Sequence, residues 1–298
     1  MIRSAALALT LLAIGQPALA QDASDTAGEA AASAAHTVEA AKADPGHWRA
    51  VDPENLFIFE TTKGRILIEA FPEIAPGHYK QFAAIIRSGD YDGTSFHRVI
   101  EGFMAQGGDI FALHGRDSGL PNMQAEFTFA RNPDEMPMEF PIGPADESSN
   151  GYIKGFPIAT LPLWLRVGED PLNSWMPHCE GVVSTARLGD DENSGNSQFF
   201  LMRGYAKHLD KNYTAWGRVI DGVDVVKSIK LGNQARDGVV LTDPDILNSA
   251  KVAADLPEGE RPNAWVMRTD TPEFAASVDQ SSWPHVCDLP PVPAVVEN

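Results

Sequence analysis

The chain reads as mainly β: a closed antiparallel barrel capped by two helices, carrying a long insertion and a C-terminal extension. Short apolar stretches recur from Leu56 to Ala254, separated by turns rich in Gly, Asp and Asn. Only two segments have helical spacing, Pro76–Ser88 and Val223–Lys230. Between them, residues 110–180 hold nine prolines, too many for long regular elements. Many short strands with few helices is the pattern of a sheet that closes to remove its edges.

In chain order, residues 1–20 read as a secretory signal peptide. Arg3 follows the first Met, an apolar run covers Ala5–Ile14, Gly15 and Pro17 interrupt it, and Ala18-Leu19-Ala20 supplies small residues for cleavage. The run falls well short of the ~20 residues that span a bilayer, and no later segment looks transmembrane. With no Cys near the cleavage point, a lipid anchor is not expected. The mature chain is therefore expected in the periplasm or outside the cell, free of the membrane. Residues 21–50 read as a flexible leader: up to Gly46, Val38 is the one large hydrophobe.

Ordered structure begins near Trp48. Leu56–Thr62 is a strand, Lys63-Gly64 a turn and Arg65–Ala70 the returning strand. Pro76 opens a helix with Phe82, Ile85 and Ile86 on one face, and Gly89 ends it. Strands follow at Ser95–Ile100 and Phe103–Gln106. The insertion 110–180 is expected to hold short elements at best. Val182–Ala186, Gln198–Met202 and Tyr213–Ile220 are strands, Val223–Lys230 is the second helix, and Lys251–Ala254 closes the sheet. The Pro-rich tail 257–298 is expected to end loosely.

A length of 298 residues suits one domain with additions, or two domains. The net charge of -18 and pI of about 4.7 disfavour phosphate-backbone partners, so no nucleic-acid role is expected. The acidic surface and the absence of a heptad seam favour a monomer. Cys179 and Cys287, an even pair in an oxidising compartment, point to one disulfide, with two unpaired thiols as the alternative. His36, His47, His78, His114, His178 and His285 lack metal-ligand spacing, so neither metal nor cofactor is expected.

The chemistry concentrates at residues 96–109, FHRVIEGFMAQGGD. Strand alternation puts Arg98 on one face and His97 on the other, with Phe103, Met104 and Gln106 after a Gly-containing turn. A guanidinium, an amide and a soft apolar pair suit a peptide's apolar side chain held with its backbone hydrogen-bonded. They offer no nucleophile, and His97 is the only base in reach.

This stretch resembles the cyclophilin signature. Asn196–Leu201, His208-Leu209-Asp210 with Tyr213 and Trp216–Val219, and Gly222–Val226 resemble further blocks of that family in the same order. The resemblance covers most of 55–109 and 181–230. It implies an eight-stranded barrel with a helix at each end, a cyclophilin-like domain over 51–256, and isomerisation of X–Pro bonds in proline-containing polypeptides. It further implies that Arg98 donates to the prolyl nitrogen, that Phe103, Met104, Phe200 and Leu209 hold the pyrrolidine ring, that Gln106 holds a neighbouring carbonyl, and that Ala186 and Arg187 pair with the peptide backbone. Gln198, His208 and Tyr213 complete the implied pocket.

The chain departs from the family in three places. His208 stands where many members have Trp, which predicts weak binding of cyclosporin-type cyclic peptides. Tyr213 stands where His is common. The segment between Asp109 and Gly181 is much longer, and the resemblance aligns Glu126-Phe127 within it with the strand that enters beside the pocket after the family's Gly-rich loop. An active isomerase competes here with a catalytically weak peptide-binding or chaperone module. A hydrolase built on Ser197 and His208 has no oriented third partner.

Overall fold

The computed structural model describes residues 36–142, 150–161, 171–278 and 285–297. The expected signal peptide and the first half of the leader lie outside them.

The main sheet has nine strands, all antiparallel to their neighbours. Their spatial order is Thr94–Ser95, Ile246–Val252, Leu56–Thr61, Gly64–Ala70, Ala215–Asp221, Val182–Thr185, Phe199–Met202, Met104–Gly107 and Arg98–Ile100. The first and last strands come from one segment, interrupted at Phe96 and His97. There the backbone bonds to a loop instead: Phe96 N–H donates to Asp245 O (2.9 Å), Val240 N–H to His97 O (2.9 Å) and Val99 N–H to Gly238 O (2.7 Å). Among the described residues no ladder joins the two edges. The sheet is curled and open, a half-barrel, not the closed eight-stranded barrel the sequence suggested. Buried Phe96 turns its ring toward Phe199, 6.3 Å away, and the chain bends at that point.

The helix Pro76–Ser88 packs on this sheet through Phe82, whose ring stacks 4.6 Å from that of fully buried Trp216. Ala75 has no side chain to cap the helix. Glu126 does so from the insertion, accepting the N–H groups of Gly77 and His78, both at 3.0 Å. The helix Val223–Ser228 rests on the strand Gly64–Ala70.

The insertion is more regular than its prolines imply. It forms a second antiparallel sheet in the order Phe129–Arg131, Leu172–Trp175, Phe156–Thr160, Asn150–Ile153, Phe140–Ile142. Pro141 lies in an edge strand, and Pro157 lies outside the two-residue ladder that joins its strand to Leu172–Trp175. Proline's missing N–H therefore costs no ladder bond at either position. Phe156 stacks on Phe71, the residue that follows the main-sheet strand Gly64–Ala70, at 4.4 Å.

Leader and tail order one another. Trp48–Ala50, Asn263–Met267 and Ala294–Glu297 form a three-stranded sheet, with the helix Val38–Ala43 against it. The described part of the leader is thus folded, and the last described residues of the tail, Ala294–Glu297, form a strand. Trp48 explains the difference: it is buried against Ala41 and Val295, an apolar contact that neither segment could make alone. Cys179 and Cys287 form a disulfide, with Cα atoms 4.8 Å apart.

Candidate active site

Arg98–Ile100 and Met104–Gly107 form a hairpin whose register sets Arg98 opposite Gln106. Cross-strand partners share a face, so their side chains meet: Arg98 Nη1 donates to Gln106 Oε1 at 3.2 Å. The next strand sets Phe200 opposite Gln106 on its other side. Gln106 Nε2 in turn donates to Gln198 Oε1 at 2.8 Å, which fixes the amide's orientation.

Around this row lies a cavity of about 470 Å³. Buried Met104, Phe200 and Leu209 and half-buried Phe103 supply its apolar surface. Arg98, Gln106, Ala186, Arg187, His208 and Tyr213 also line it. His208 is exposed at the rim, 5.5 Å from the Phe103 ring, and Tyr213 meets Phe200 edge-on at 5.7 Å. Every residue expected at the site is here except Gln198. It lines an adjoining cavity of about 540 Å³, which shares Gln106, Ala186 and Arg187 with the first. The insertion walls that second cavity with residues 117–120 and Asn122, and Asn196 binds this stretch through Leu120 O and Asn122 Oδ1, both at 3.0 Å. Glu126, aligned from sequence with a strand beside the pocket, is occupied as the helix cap.

Arg98 has a partner that sequence reasoning missed. Its Nε donates to the Asp237 main-chain oxygen (3.0 Å) and to Oδ2 (3.1 Å), and Nη2 donates to Oδ1 (2.9 Å). The Arg98 hydrogen bond and charge hold the Asp237 carboxyl below the usual range. An arginine has five N–H donors. Asp237 and Gln106 engage three, leaving one on each Nη, with Met104 Sδ a weak acceptor 3.9 Å from Nη1. Asp237 stands in a left-handed turn (φ 54°) before Gly238, 139 residues after Arg98. The Asp-Gly pair signals a turn in the sequence, and nothing there signals this contact. Asn212 also lines the cavity unanticipated.

His97 is not among the lining residues. Burial holds its imidazole below the usual histidine range, so it stays neutral near pH 7. Ser197 and His208 line different cavities, which leaves the hydrolase reading without an assembled pair. The first cavity holds a ring-sized apolar surface beside a guanidinium with one N–H free on Nη2 and another, on Nη1, held only by the Met104 sulfur. It can bind an apolar side chain and hydrogen-bond an atom next to it.

The family model for cyclophilin type peptidyl-prolyl cis-trans isomerases matches residues 56–252. The chain belongs to that family. Its class of activity is accordingly that of a peptidyl-prolyl cis–trans isomerase. A probable peptidyl-prolyl cis-trans isomerase of Brucella abortus is 34% identical over 206 residues, covering 69% of this chain and 86% of that protein. Peptidyl-prolyl cis-trans isomerase-like 3 of Mus musculus is 30% identical over 171 residues, 57% of this chain and 78% of that one. The crystal structure of cyclophilin AquaCyp293 from Hirschia baltica superposes with a TM-score of 0.79 at 46% identity. It covers 87% of this chain and 97% of its own, so the likeness extends well beyond the isomerase core.

Proposed function

We propose that this cyclophilin accelerates X–Pro isomerisation in exported polypeptides, with Arg98 donating a hydrogen bond to the prolyl nitrogen as the amide twists. The amide barrier is ~18–20 kcal/mol because resonance gives the C–N bond double-bond character. Twisting returns the lone pair to nitrogen, which becomes pyramidal and basic. A donor placed there stabilises the twisted state more than the planar one, which lowers the barrier with no covalent step. The observation that carries the reading is the Arg98 guanidinium at an apolar, ring-sized cavity, with one N–H on Nη2 free and one on Nη1 held only by the weak acceptor Met104 Sδ. Phe103, Met104, Phe200 and Leu209 hold the ring still while the preceding residue turns, and Gln106 retains one N–H for a substrate carbonyl.

Export is supported by the signal-like residues 1–20 and by the Cys179–Cys287 disulfide, a bond that persists in oxidising compartments. The acidic surface supports a monomer acting on protein rather than nucleic acid.

The test is isomerisation of an Ala-Pro peptide by the purified protein and by Arg98→Ala. Loss of one preorganised donor is expected to lower kcat by about 10²-fold. Equal rates for the two proteins would remove Arg98 from the mechanism. No rate above background for the native protein would sink the isomerase reading and favour a peptide-binding module.

A further inference from the structure

Arg187 lines both cavities and stands where a peptide leaving the proline cavity for its neighbour must pass. Its guanidinium lies over two rings, 4.5 Å from the centre of Tyr213 and 5.4 Å from that of Phe127. Three main-chain oxygens fix it: Nε donates to Asn212 O (3.0 Å), and Nη1 donates to Leu188 O (2.7 Å) and Gly189 O (3.2 Å). That accounts for three of five donors. The two on Nη2 have no acceptor among the described residues, and no carboxylate there forms an ion pair with this side chain. The chain has 41 acidic residues against 23 basic ones, so an arginine without an acidic partner goes against its composition. The side chain is also half-buried and held in one place, so it loses little freedom when it binds an anion.

We propose that Arg187 is a specificity-determining residue that selects substrates with an Asp or Glu within two positions of the proline. The inference rests on the isomerase reading and names a substrate class for it. A substrate carboxylate at the boundary between the cavities meets a fork with two open donors, the geometry that favours bidentate pairing. A lysine at the same position meets a fixed positive charge. Asp109 and Asp117 line the far cavity, so the preference for an acid is confined to the boundary and fades farther along the peptide.

The experiment compares kcat/KM for peptides containing Ala-Ala-Pro, Ala-Glu-Pro, Ala-Lys-Pro, Glu-Ala-Pro and Lys-Ala-Pro, at low and high salt. At one of the two positions the Glu peptide is expected to exceed its Lys counterpart by about 10-fold, or ~1.4 kcal/mol. The ratio should shrink with salt. In Arg187→Gln, with its fold verified by thermal denaturation, the ratio is expected to fall below about twofold, and Arg187→Lys should restore part of it. A native ratio near one at both positions overturns the proposal, as does a ratio that survives in Arg187→Gln. Turnover of Ala-Ala-Pro by the native protein reports on the isomerase reading separately.

Discussion

Replacing Cys287 with serine opens the covalent loop that ties the tail to the insertion. The two cysteines are 108 residues apart, a length for which loop-closure entropy predicts a stabilisation of about 4.8 kcal/mol. At ~2–4 °C per kcal/mol for a domain of this size, the midpoint of thermal unfolding should drop by roughly 10–20 °C. The assay is thermal denaturation of the native protein, Cys287→Ser and the fully reduced native protein. Reduced and serine-substituted proteins should unfold at the same temperature, since both lose the bridge. A shift under about 2 °C would refute the reasoning: it would mean that Ala294–Glu297, paired with Asn263–Met267, keeps the tail in place in the reference state too. A variant much less stable than reduced native protein would trace the loss to packing at Cys287, and the loop argument would fail in that case as well.

Two further outcomes follow from the site and its supports. Asp237→Asn keeps a residue that tolerates the left-handed turn while weakening its hold on Arg98. It should lower kcat about threefold with KM nearly unchanged, and an unaltered kcat would show that Gln106 alone orients the guanidinium. Burial pushes the Glu126 carboxyl up, but its bonds to the His78 ring and to the N–H groups of Gly77 and His78 prevail, and its pKa is lowered. A carboxylate lowered in the folded state adds stability that is present above its unfolded value, near 4.5, and is lost as pH falls through the lower folded value. Denaturant unfolding from pH 7 down to pH 3 should show this acid loss, and Glu126→Gln should flatten it; identical profiles would dismiss Glu126 as the cap.

Much of the site was legible because its parts sit in short stretches with fixed strand alternation. Arg98 and Gln106 are eight residues apart on one hairpin, so the sequence alone brings them together. Phe200 follows from the next strand's register. Asp237 was hidden because its contact depends on where a loop crosses the break at Phe96 and His97, and that break also cost the barrel its closure. The insertion was misjudged for a different reason. Counting prolines treats every strand position alike, whereas Pro141 and Pro157 occupy places where no N–H is needed. The described leader and tail looked unstructured because each was read alone, and the apolar area that orders them exists only once they are paired.

That pairing sets an order of assembly. Trp48 lies near the start of the folded chain, and its strand partner Met267 is made near the end. The strand Leu56–Thr61 likewise waits for Ile246–Val252. A partly synthesised chain carries these early strands with edges open and Trp48 uncovered, and contacts of such long sequence separation form slowly. Synthesis of Asn263–Met267 and Ala294–Glu297, rather than emergence of the isomerase core, is the step that lets the molecule shut.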